Sequence, residues 1–111
     1  MHTKEANELL EKLIATIEKN GIQPEANIPA IQKIREFALK ENDPLVTRAL
    51  RLAWQHLESN ETFALNYLLE EDENATSDDN LLYMLNLCLK SENTYNRDEL
   101  REMTNQLQEM P

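Results

Sequence analysis

Asp72, Asn74, Thr76, Asp78 and Asn80 stand on alternate positions, the spacing of oxygen ligands in a calcium-binding loop. The pattern fails at two decisive places. The sixth position is Ser77, not the glycine that makes the sharp turn, and the twelfth is Tyr83, not a bidentate glutamate. Cys88 is the chain's single cysteine. A nucleophilic thiol needs an electropositive, partly exposed setting. Cys88 instead stands among Met84, Leu85 and Leu89, with Lys90 as the nearby cation, and reads as a buried structural thiol. His56 has Leu52 and Asn60 at the helical neighbour positions, and the only other histidine is His2. Three or four converging zinc ligands cannot be assembled from that set. His56 is two residues from Trp54, which turns it outward or sideways and leaves Trp54 as a core or edge anchor. Glu70, Glu71 and Glu73 read as solvated, whereas general acid–base work needs a carboxylate whose surroundings shift its pKa. No glycine-rich phosphate loop exists, and Ser59, Ser77 and Ser91 stand in capping or turn contexts. These residues predict a chain that is not an enzyme and uses no metal or cofactor.

The remaining chemistry is recognition. Leu100, Met103, Leu107 and Met110 form a narrow, heptad-like seam on an otherwise polar helix. Its two methionines suit an adaptable surface. The seam either packs inward or meets a partner, a second copy of the chain included. Charge marks a second candidate. Residues 1–60 carry 8 basic and 9 acidic side chains, while residues 61–111 carry 3 and 12. The acidic run Glu70, Glu71, Asp72 and Glu73, with Asp78, Asp79, Asp98, Glu99 and Glu102, would suit a basic protein partner. The same charge repels phosphate backbones, so nucleic acid is not an expected partner. The alternative role is simple solubility.

Helices must carry these residues. The chain has one glycine and four prolines in 111 residues, too little turn chemistry for a sheet protein. Helix-start residues recur at Asn27, Asp43, Asn60, Ser77 and Asn96. The steps fit one helix of three to four turns plus a short connection. The first helix is expected over Lys4 to Lys19, with Leu9, Leu10, Leu13, Ile14 and Ile17 on one face and Gly21 as its left-handed cap. The second is expected from Ile28 to Lys40 with Pro29 in its first turn, and buries Ile31, Ile34, Phe37 and Ala38. Asp43-Pro44 opens a third helix that is apolar on more than one face and reads as the central element. A fourth is expected to open near Ser59-Asn60, to carry Phe63, Ala64, Tyr67 and Leu68, and to dissolve in the acidic run. A fifth starts at Thr76-Ser77, with Asp78 and Asp79 favourably placed in its first turn. Its body, Leu81 to Leu89, has apolar residues on two faces. A sixth begins at Asn96 with Glu99 as capping-box partner.

Two helix steps make a unit of about 34 residues, the length of a helical-hairpin repeat and similar in spacing to tetratricopeptide proteins. The small residues that let helices of that family cross closely are not at consistent positions here. The expectation is a single all-α domain over residues 1–111, an antiparallel bundle or short helical-hairpin array of five to six helices. No run of apolar residues is long enough to span a membrane. The opening MHTKEANE has no apolar stretch, and with one cysteine it predicts a cytoplasmic setting. The leading expectation for function is a small helical protein–protein interaction module, adaptor or regulator. The second is an acidic inhibitor or immunity-type protein that neutralises a basic partner.

Overall fold

A computed structural model describes residues 1–65, 67 and 74–110. It contains five helices among the described residues, α1 Lys4–Asn20, α2 Pro24–Lys40, α3 Pro44–Asn60, α4 Ser77–Leu89 and α5 Thr94–Glu109. No strand occurs among them. No described helix is long and apolar enough to cross a membrane.

The helices close a ring. α1 packs on α2 and α4, α2 on α3, α3 on α5, and α5 on α4. Every helix therefore has two principal neighbours. That explains the two apolar faces of α4: one meets α1 and the other α5. α3, expected to be central, lies between α2 and α5. The shared interior includes Leu10, Ile17, Ile34, Leu50, Leu85 and Leu100, all buried. A radius of gyration of 12.7 Å matches a tightly folded chain of this length.

Local chemistry sets the helix ends. Gly21 ends α1 with φ +76°, and its amide bonds the Ile17 carbonyl. The Asp43 side chain caps α3 by accepting the Val46 amide at 3.3 Å, and Pro44 occupies the first turn. Thr76 caps α4 in a capping box, with Thr76 Oγ1 accepting the Asp79 amide and Asp79 accepting the Thr76 amide.

Three boundaries differ from the sequence reading. α2 begins at Pro24, four residues early, because Pro24 rather than Pro29 takes the first-turn position. Asn27 is not a cap but a buried residue of α2, and its Oδ1 accepts the Gln23 amide at 2.6 Å. α5 begins at Thr94, capped by Asn93, whose Oδ1 accepts the amides of Tyr95 and Asn96. Glu99 is therefore no capping-box partner and instead accepts the Tyr83 hydroxyl of α4. The largest difference follows Ser59. α3 continues through Asn60, Glu61 takes a left-handed cap with φ +60°, and residues 61–65 are not helical. Asn60 works as a helix end: its side-chain amide donates to the His56 carbonyl at 3.0 Å. Leu68 and the acidic run from Glu70 to Glu73 lie outside the described residues.

Candidate functional site

The Leu/Met seam faces inward. Leu100, Met103 and Leu107 are buried in the core, and Met110 at the end of α5 is half-buried against it. Of the acidic candidates, Glu70, Glu71, Asp72 and Glu73 fall outside the described residues. Several others are already engaged. Asp79 completes its capping box, Asp98 pairs with Arg101 at 3.2 Å, Glu99 accepts from Tyr83, and Glu102 accepts from Tyr67 at 3.4 Å.

Cys88 and His56 both lie in the interior. Cys88 is buried, and loss of solvation pushes its thiol up to about 12. His56 is buried rather than turned outward, because the segment after α3 folds back over it. Its Nε2 accepts the Ala64 amide at 2.9 Å, and Phe63 meets the ring edge-on at 5.6 Å. Accepting at Nε2 requires the neutral ring. Desolvation accordingly holds His56 below its ordinary value. No group of three or more acidic, histidine or cysteine side chains able to hold a metal occurs among the described residues.

Sequence reasoning missed the groove between α2 and α3. The turn Glu41–Asp43 folds these two helices into a hairpin. A groove of about 440 Å³ runs along it. One end is apolar, formed by Leu39, which is 50% exposed, and Pro44. The other end carries Arg35 from α2 and Arg48 and Arg51 from α3. Arg48 and Arg51 are three residues apart and so project from the same face, about 4.5 Å apart along the axis.

The arginines of this groove differ from the other two in their pairing. The chain has five arginines. Arg97 pairs with Asp43 and Arg101 with Asp98. Among the described residues, no carboxylate pairs with Arg35, Arg48 or Arg51. Arg48 donates only to the neutral Asn105 Oδ1 at 2.7 Å. The Nε of Arg35 is buried and has no hydrogen-bond partner. Asp43 also lines the groove, but its Oδ2 and Oδ1 accept from Arg97 Nη1 and Nη2 at 2.9 and 3.0 Å. A chain of net charge −10 thus keeps three uncompensated cations in one concave place. The available sequence signal was Leu39, one apolar residue off the buried stripe of α2, one turn after Arg35.

Comparison with protein-family models, with curated proteins and with solved structures found no match for this chain.

Proposed function

We propose that this chain is a helical protein–protein interaction module, without chemistry of its own, that receives its partner in the α2–α3 groove. The unpaired Arg35, Arg48 and Arg51 carry this reading, set beside the half-exposed Leu39. Arginine forks and apolar anchors are the side chains that dominate binding at protein interfaces. Supporting the absence of chemistry, the thiol of Cys88 and the imidazole of His56 are both committed to the interior.

The test is site-specific crosslinking. A photoreactive amino acid replaces Leu39 in one variant and Tyr95, 80% exposed on α5, in another. Both positions are exposed enough to leave the fold intact. A stoichiometric adduct from position 39 and not from 95 is the expected result. An adduct from position 95 alone would move the interface to the acidic side of the molecule. It would favour the second reading, an acidic inhibitor of a basic partner, whose binding should weaken steeply with salt. That reading draws on the excess of carboxylates after residue 60.

A further inference from the structure

We infer that the α2–α3 groove binds an acidic peptide segment of a partner protein, with a carboxylate seated on Arg35. The inference rests on the interaction-module reading and gives the partner its chemistry. Three observations lead to it. Arg35 lines the groove with no carboxylate paired to it among the described residues, and its buried Nε has no acceptor in the fold. Because Nε is enclosed by the fold, a carboxylate in the groove meets the Nη edge of the guanidinium, whose parallel N–H groups donate to both of its oxygens. Arg48 and Arg51 offer further forks across the groove for a second acidic side chain. At the other end, Leu39 and Pro44 offer an apolar seat. Leu39 and Arg35 are four residues apart on one face of α2, about 6 Å along the axis. In an extended peptide, side chains two residues apart are separated by about 6.8 Å. An apolar residue on Leu39 thus places an acidic residue two positions away beside Arg35. A nucleic acid would meet the same arginines, but the acidic remainder of the chain repels an extended phosphate backbone. A short acidic peptide contacts only the groove.

The experiment uses the five arginine Nε–H signals in a nitrogen-15-labelled sample of the full chain. The probe is the peptide acetyl-Leu-Glu-Glu-Leu-Glu-amide, with acetyl-Leu-Gln-Gln-Leu-Gln-amide as its neutral match. The signals of Arg35, Arg48 and Arg51 should move with the acidic peptide and stay still with the neutral one. Those of Arg97 and Arg101, already paired, should stay still with both. Arg35→Lys keeps the charge but removes the fork, and should weaken the acidic peptide about tenfold with the melting temperature unchanged. Equal movement of all five signals, or equal response to the two peptides, would overturn the inference. So would full affinity in Arg35→Lys, or a dimer in which the groove is filled by a second copy of the chain. A crosslinked partner at position 39 with no response to the acidic peptide removes the ligand chemistry alone, whereas loss of both removes the groove as the interface.

Discussion

Asp43 holds two jobs that substitution can separate. It caps α3 through the Val46 amide at 3.3 Å, and it ties that helix start to α5 through two hydrogen bonds to Arg97 at 2.9 and 3.0 Å. The carboxylate is 15% exposed and the guanidinium 32%, so the pair is sheltered without being fully buried. Replacing a cap by alanine costs about 1 kcal/mol. A bidentate, charge-assisted pair in this setting contributes about 2 kcal/mol, above an exposed ion pair and below a buried one. Asp43→Ala should therefore lose about 3 kcal/mol. Asp43→Asn keeps a cap acceptor and should lose about 2 kcal/mol. Arg97→Met should cost about as much as Asp43→Asn, and the double variant little more than either, because both remove one interaction. Urea unfolding of the natural chain and the four variants with a common slope measures these differences. The comparison also has a pH arm. The hydrogen bonds from Arg97 hold the Asp43 carboxyl below its ordinary value of 3.8. On acidification the unfolded chain takes up that proton first, so the stabilisation is present above about pH 4 and is lost as pH falls through the folded value. The gap between the natural chain and Asp43→Asn should close in acid. Equal losses for the alanine and asparagine variants, or a gap that persists at low pH, would refute this division of labour.

His56 is neutral in the fold and its titration is depressed by burial. The unfolded chain protonates first as pH falls below about 6.5, so stability present above that pH should decline on acidification, and His56→Gln should remove that part of the decline in urea titrations. Cys88, pushed up to about 12 from an ordinary 9.0, carries the opposite sign: its unfolded thiol ionises first, so stability should fall as pH rises through 9. The same thiol should react with a disulfide reagent only as fast as the fold opens, and a native-state rate equal to that of the urea-unfolded chain would contradict its burial. Met103→Asp places a charge without a partner in the core and should cost several kcal/mol, enough to unfold a domain of ordinary stability, while Met110→Asp should cost less than about 1 kcal/mol. Circular dichroism of the two variants decides whether the Leu/Met seam is interior.

The fold was legible where one physical signal acted alone. Asp43-Pro44 and Thr76-Ser77 each combine a capping side chain with a favourable first turn, and both open helices. The apolar stripe of Leu10, Leu13, Ile14 and Ile17 could serve only one face, and it does. Reading failed where two signals competed. Pro24 and Pro29 are both suited to a first turn, and only the burial of Asn27 against Gln23 selects the former. Asn60 can begin a helix or end one, and Glu61 in the left-handed conformation, a strained state for a non-glycine residue, ends α3 there. His56 looked peripheral because its burial comes from Phe63 and Ala64, residues beyond its own helix. The Leu/Met seam shows a deeper limit. A stripe covered by the chain itself and a stripe covered by another chain have the same periodicity, because water is excluded in the same way. The arginine groove is invisible for a different reason: it depends on which carboxylates each arginine fails to meet, and pairing is a property of three dimensions.

Asp43 links stability to the groove, and that link can be tested through a residue outside the groove lining. Among the described residues it is the one carboxylate that lines the groove, and both of its oxygens accept from Arg97. Arg97 therefore does more than join α5 to α3: it keeps Asp43 from compensating the groove arginines. In Arg97→Met the carboxylate keeps its place at the start of α3, still held by the Val46 amide, but loses its cation. Two unit charges one Debye length apart, about 8 Å, interact by about 2 kcal/mol at an effective dielectric near 20 before salt screening, and screening reduces that to less than half. Arg97→Met should therefore weaken the acidic peptide several-fold although Arg97 is absent from the groove lining. Asp43→Asn in the same background should restore the affinity, because it removes the freed charge without returning the ion pair. Both proteins need only remain folded at the temperature of the titration, which the urea series establishes beforehand. Unchanged affinity in Arg97→Met would mean that Asp43 exerts no field in the groove, and a loss that Asp43→Asn does not rescue would trace the effect to a shifted α3 instead of to charge.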